Sequence, residues 1–430
     1  MQVLKSMVVV AALVSAAAGA DKRDLGRETL APGDGWGSFS TGTTGGAAAD
    51  DDHVYVVHDR QGLVAALANR SATPKIIQVE GTIDANVDDD GRPLTCDDYA
   101  RNGYSLDAFL AAYDPAVWGR VPPSGPLEAA RVASQQAQQE RVRIRIGSNT
   151  TIVGLGKSAL VRGAWLDARD ADNVVIRNVT FRDTHDCFPQ WSPTDGSQGN
   201  WNALYDAVSL RNTTHVWVDH NDFADVETAD EGLPTYFGRL FQVHDGHLDI
   251  TNASDLVTVS WNRFTDHDKV MLIGSSDSGS TAAGDRGKLR VTLHHNLFEN
   301  VGQRTPRVRF GKVHVYNNLY DVKKVPSYVY SWGVGIESQI YAESNLFQTD
   351  QEIAPADLIA RFNGTAIHES GTNVGGPADK DLVDVLAAYN AANDPHLSGD
   401  VGWAATLFTT IDPTRRVLPA VRSRAGPMEW

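Results

Sequence analysis

A right-handed parallel β-helix, all-β and single-domain with short helices and long loop insertions, is the fold this sequence predicts. A strand–Asn–aromatic pattern occurs six times, its copies come as close as 22 residues, and Asn stands at one register in each. The copies are NVVIRNVTF, HVWVDHNDF, LVTVSWNRF, RVTLHHNLF, KVHVYNNLY and SQIYAESNLF, which hold Asn178, Asn221, Asn262, Asn296, Asn318 and Asn345. Alternating apolar residues lead into the Asn, and an aromatic follows two places on. The Asn-to-Asn spacings are 43, 41, 34, 22 and 27 residues. The shortest sets the size of one bare turn, too small for a propeller blade with its period of about 40–50 residues. The longer ones hold insertions. A unit this small cannot bury its own apolar face, but stacked units bury a continuous core. Asn suits such a stack because its amide bonds both up and down and tolerates a tight αL turn. The aromatics stack inside.

In chain order, residues 1–20 read as a signal peptide. Lys5 supplies the positive charge, Met7–Ala20 the apolar stretch and Ala18-Gly19-Ala20 the small-residue cleavage site. That stretch is shorter than the roughly 20 residues of a membrane span. The expectation is a secreted, extracellular domain over 21–430, with Lys22-Arg23 as a dibasic site. Residues 21–52 form a Gly- and Asp-rich arm. VYVV (54–57) and KIIQVEGTID (75–84) read as strands, RQGLVAALA (60–68) and EAARVASQQAQQERV (128–142) as helices, and 85–130 as a polar excursion. The stack begins near Arg143, and about 348–430 is a C-terminal tail.

The 430 residues carry a net charge of −16 with 42% hydrophobic content, a globular and acidic composition that argues against nucleic acid as a partner. No later stretch is apolar enough for a membrane, and a monomer is expected. The two cysteines, Cys96 and Cys187, are expected to bridge, because export permits a disulfide; the alternative is two buried thiols. N-x-[ST] sequons occur at Asn69, Asn149, Asn178, Asn212, Asn252 and Asn363.

Against this acidic background Arg304, Arg307, Arg309 and Lys312 stand close together and predict an anionic ligand bound locally. Insertions in a solenoid tend to map to one face, often the binding face. The largest hold Asp206, Asp245 and Asp249, with Asp195 and Asn202 as further oxygen donors. An all-oxygen set suits Ca²⁺ and disfavours zinc; the alternative is solvated loop charge. His244 and His247 read as hydrogen-bonding groups. Lys269 reads from the sequence alone as the ion-pair partner of Asp266 or Asp268.

WVDHNDF, HDGHLDI, DHDKVMLIGSSDS and VTLHHNLFENVGQRTPRVRFGKVHVYNN, with GWGSFSTGTTGG and TIVGLG upstream, resemble in order the signature segments of the pectate lyases of polysaccharide lyase family 1. The likeness runs from about Gly35 to about Phe347. It implies a secreted enzyme that cleaves de-esterified polygalacturonate (pectate) by β-elimination with Ca²⁺. By position it implies Asp206, Asp245 and Asp249 as calcium ligands, Asp195 and Asn202 at further calcium ions, Lys269 and Arg309 on substrate carboxylates, and Arg304 as catalytic base. Arg307 has no place in the motif. The rival readings are a pectin lyase, a polygalacturonase-type hydrolase and a non-catalytic pectin-binding protein.

Overall fold

The computed structural model describes residues 24–323, 328–350, 352–375 and 382–429. The expected signal peptide and Lys22-Arg23 lie outside them. Three parallel sheets wind into the expected β-helix. Sheet I has ten strands, from Val54–Val57 to Ile367–Ser370; sheet II has nine, from Thr82–Asp84 to Asn373–Val374; sheet III has eight, from Arg143–Ile146 to Ile359–Phe362. A coil runs III to I to II, as in Leu248–Thr251, Asp255–Ser260 and Arg263–Lys269, then enters sheet III again at Leu272–Ile273. The large insertions leave at the II-to-III edge. Two of them fold into short antiparallel hairpins, Gln190–Ser192 with Asn200–Asn202 and Thr235–Tyr236 with Arg239–Leu240.

Register follows from the side chains. In sheet I, Val174, Val216, Val257, Val291, Val313 and Ile340 are successive ladder partners, and all are buried. At the I-to-II corner the Asn residues form a buried chain. The backbone N–H groups of Asn221, Asn262 and Asn296 donate to the next Asn Oδ1 at 3.0, 3.0 and 2.9 Å, and that of Asn318 to Asn345 at 3.0 Å. Each Nδ2 also donates to a carbonyl of the preceding coil, as Asn296 does to Val259 at 3.0 Å. The residue before each of these, His220, Trp261, His295, Asn317 or Ser344, takes the αL conformation and makes the corner. Inside, Phe181, Phe223, Phe264, Phe298, Tyr320 and Phe347 stack with centroids 4.2–5.3 Å apart.

Asn178 departs from the expected pattern. It is itself the αL corner residue, with φ 58°, and Val179 takes the ladder position, donating its N–H to Asn221 Oδ1 at 3.1 Å. The Asn178 amide instead accepts the Met428 N–H at 2.6 Å and donates to the carbonyls of Gly154, Gly156 and Met428. Buried and bonded this way, it is no acceptor for a glycan.

The stack also runs past the expected boundary near 348. Ile359–Phe362, Ile367–Ser370 and Asn373–Val374 pair with Trp332–Gly335, Gln339–Glu343 and Leu346–Thr349, adding one more coil. The tail proper lies beyond it. Helix Val385–Ala392 buries Val385 and Tyr389 against the main core, and helix Val417–Arg424 packs Val417 and Val421 on Leu297, Leu319 and Leu346. The N-terminal arm lies along sheet I, where Trp36, Gly37 and Gly46 donate backbone N–H bonds to Thr292, Thr258 and Thr151 hydroxyls. A Cβ on Gly46 would stand 1.9 Å from the Lys75 carbonyl oxygen, so only glycine lets the arm lie this close. Cys96 and Cys187 form the expected disulfide, which ties the excursion to the loop leading to Asp195 and Asn202. Among the described residues no helix is long and apolar enough to cross a membrane.

Replacing Asn296 by Ala strips the acceptor from the Asn262 N–H and removes the side-chain donor from the Val259 carbonyl. The expected cost is about 3 kcal/mol in urea unfolding, from a buried N–H left without its acceptor and the lost side-chain bonds. A loss below about 1 kcal/mol would show that the ladder does not couple the coils.

Candidate active site

Stacking in register brings the aspartates, Lys269 and Arg304 to the II-to-III edge, whereas Arg309 lies past Arg307–Val308 on the way from sheet III to sheet I and does not line the same cleft. Asp206 lies two residues before Val208–Arg211, and Asp245 and Asp249 flank the start of Leu248–Thr251 in the next coil. Lys269 ends its sheet II strand and pairs with Gln303, beside Arg304 in the coil above.

Asp206 is buried and held at both oxygens. Oδ1 accepts the Gly246 N–H at 3.0 Å. Oδ2 accepts the Ser209 hydroxyl, which itself accepts Trp165 Nε1–H at 2.7 Å. Asp249 Oδ1 accepts the Leu272 N–H at 2.9 Å. Burial, then the charges of Asp249 and Asp245, pushes Asp206 well above the usual carboxylate range. Burial and Asp245 push Asp249 up to about 7. A Cβ on Gly246 would meet Asp249 Oδ1 at 2.5 Å and Asp206 Oδ1 at 3.0 Å, so the two carboxylates face one small space that glycine keeps open. Two repelling buried carboxylates at such a space fit a hard divalent cation, and the all-oxygen donors suit calcium better than zinc.

Asp245 is turned to Lys269, with 3.6 Å between Oδ1 and Nζ. Lys269 therefore does not take the partners read from the sequence alone: Asp266 accepts from Asn300, and Asp268 from Gln242 and Gln303. Lys269, Arg304 and Arg307 line one cleft of about 460 Å³ with Asp195, Asn202 and Arg239. Within the first insertion hairpin at its rim, Asn202 Nδ2 donates to Asp195 Oδ2 at 3.4 Å.

The three arginines have different surroundings. Arg304 is in the αL conformation, φ 61°, a strained choice for a non-glycine residue. Burial alone would lower its pKa, but Asp245 and Asp249 hold it above the ordinary arginine value. Arg307 lies with its guanidinium carbon 3.9 Å from the centre of the Phe362 ring, and burial, then Arg309 and Arg304, lowers it. Arg309 donates to Asp277 and, at 2.9 Å, to the Gly274 carbonyl; the sequence pointed to neither partner.

Two features escaped the sequence reading. Arg239, on the second insertion hairpin, donates to Asn200 Oδ1 at 3.0 and 3.2 Å and joins the two hairpins at the cleft. Behind the cleft is a buried group of Asp225, His244, His247 and His267. His244 is bonded as expected, to Thr228 and Asp230 at 3.0 Å each. His247 is not: neither ring nitrogen has a hydrogen-bond partner, Nε2 standing 3.9 Å from Asp225 Oδ2, and burial drives its pKa well down. Burial alone would lower His267 as well, but the adjoining Asp225 raises it to about 9. The sequence marked His244 and His247 and held His267 in DHDKVMLIGSSDS, but did not join them to Asp225, because Asp225 and His267 lie 42 residues apart and meet only through stacking.

The chain matches the family model described as pectate lyase over residues 11–109 and 119–410. It is 46% identical to a pectate lyase of Bacillus subtilis (strain 168) over 95% of each chain. A solved thermostable pectate lyase superposes with a TM-score of 0.90 at 45% identity, covering 94% of this chain and 99% of that one. A pectate lyase bound to a hexasaccharide gives 0.89 at the same identity and coverage.

Asp249→Asn removes one charge from the repelling pair and keeps the oxygen that Leu272 needs. In chelator it should raise stability by about 1 kcal/mol, read from the midpoint of thermal unfolding. A lower midpoint would mean that Asp249 is compensated in the free protein.

Proposed function

The chain belongs to the pectate lyase family and is an enzyme of that class, a polysaccharide lyase, and from that premise we propose that it is a secreted, calcium-dependent enzyme that cleaves de-esterified α-1,4-polygalacturonate by β-elimination to unsaturated oligogalacturonides. The observation that carries this is the buried Asp206–Asp249 pair around Gly246, set beside the cations of one cleft.

Asp206, Asp245 and Asp249 would hold the calcium ion, with Asp195 and Asn202 supplying oxygens for further ions. Held there, calcium would supply Lewis acidity toward a substrate carboxylate, which would lower the cost of negative charge at C5. Lys269 and Arg309 hold substrate carboxylates, and Arg309 exchanges its contact with Asp277 to do so. Arg307, supported on Phe362, adds positive field at the cleft wall.

Arg304 takes the C5 proton. The C–H electron pair becomes the C4–C5 double bond, the C4–O bond breaks, and the leaving oxygen gains a proton. A free guanidinium is protonated at any ordinary pH, and here Asp245 and Asp249 stabilise that form further. Arg304 is therefore competent only when those carboxylates are neutralised, which ties its basicity to the metal site and favours alkaline pH. Residues 1–20 direct export and the mature domain starts after them; the formed Cys96–Cys187 bridge suits an oxidising compartment.

Arg304→Lys should lower the appearance of near-ultraviolet-absorbing unsaturated product by about 10³-fold while polygalacturonate affinity stays close to the parent's. Near-normal turnover would take Arg304 out of the base role. Calcium at about 100 times its Kd should stabilise the parent by about 2.7 kcal/mol and should not stabilise Asp206→Ala. A rate unaffected by EDTA would overturn the calcium requirement.

A further inference from the structure

His267 lies behind the cleft, buried in the stack. Its Nδ1 is 2.5 Å from Asp225 Oδ2. Its Nε2 is 2.8 Å from the Asp245 carbonyl oxygen and 3.2 Å from that of Lys269. All three partners accept only, so the ring donates at both ends. The two carbonyls belong to different structural parts. Asp245 closes the long insertion between Asp222–Ala224 and Leu248–Thr251, whereas Lys269 ends a strand within the stack. Their side chains form a 3.6 Å ion pair, and past it the two segments meet through the His247 and Leu248 N–H groups, which donate to the Val270 carbonyl at 3.0 and 3.1 Å. The metal loop and the substrate clamp therefore share one buried donor.

Asp225, His247 and His267 offer nitrogen and oxygen atoms close enough together for a metal. The rings argue against one. His247 and His267 lie face to face, 3.8 Å apart with 19° between planes, so their nitrogens sit side by side and do not converge. The nearest Asp225 oxygen is already taken up by His267 Nδ1. A hydrogen-bonded prop accounts for the group better than an ion site does.

We propose that His267 is a positioning residue that, anchored on Asp225, fixes the Asp245 metal loop and the Lys269 clamp relative to each other through their backbone carbonyls. Calcium binding and substrate binding then depend on the same imidazole, although it touches neither ligand. The calcium half of this rests on the function proposed above.

The test uses His267→Gln and Asp225→Asn in the full mature chain. Gln donates from one amide group and cannot serve Asp225's side and both carbonyls. For His267→Gln, the Kd for Ca²⁺ alone, measured by titration calorimetry without substrate, should rise about 10-fold. KM for polygalacturonate should rise with it, and kcat at saturating calcium and substrate should fall by less. Asp225→Asn leaves the imidazole in place without its anionic anchor and should move both constants the same way by less. A folded His267→Gln protein whose Kd and KM stay within about twofold of the parent's overturns the proposal, whatever its melting temperature. So does a loss confined to kcat. If His267→Gln shows no cooperative melt, Asp225→Asn is judged by the same two constants. If the parent itself shows no calcium isotherm, the calcium reading fails, and the KM shift alone decides whether His267 holds the clamp.

Discussion

The bond from each coil to the next is the constraint on which the rest of this structure depends. Parallel backbone pairing sets the separation of the coils, and the buried Asn221–Asn345 chain sets their rotation. A one-residue slip would turn Val216, Val257 and Val291 out of the core and put polar neighbours in their place. With register fixed, whatever leaves the II-to-III edge emerges at a fixed height. Asp206 and Gly246 then meet in adjacent coils, and Lys269 lies beside Gln303 and Arg304. Residues as far apart as Asp195 and Arg307 become one site without any long-range recognition beyond that pairing.

The electrostatics of the site follow from where those loops land. In a chain of net charge −16, two carboxylates are buried against each other and four cations, Arg239, Lys269, Arg304 and Arg307, line the cleft. Each set moderates the other. Asp245 and Asp249 keep Arg304 charged, and Arg304 in turn lowers Asp249 from where burial alone would place it. In the proposed mechanism such a site stays held back until its negative half is neutralised, and the proton affinity of Arg304 is set by carboxylates that a bound metal ion would silence.

Much of this was legible in the sequence where one residue type repeats at one register. The ladder Asn residues and the stacked aromatics predicted the architecture, the arginine cluster and the insertion aspartates marked the candidate site, and the individual roles came only from the family resemblance. The misreadings have physical causes. Asn178 was placed on the ladder because Asn suits both the ladder and the αL corner, and here it fills the corner. The last coil carried no signature, since Thr372 and Val374 stand where Asn345 and Phe347 stand one coil earlier. Side-chain partners such as Lys269 with Asp245, Arg309 with Asp277 and His267 with two carbonyls depend on how insertions fold back over the stack. Periodicity does not encode that.

The most direct measurement is a mass spectrum of the products released from polygalacturonate by the mature chain with calcium at alkaline pH. β-Elimination adds no water, so one product of each cut must be lighter than the saturated oligomer of its length by the mass of one water and carry a C4–C5 double bond. Products that are all saturated, with oxygen incorporated from labelled water at each cut, would contradict proton abstraction by Arg304 and turn the Asp206–Asp249 pair toward hydrolysis.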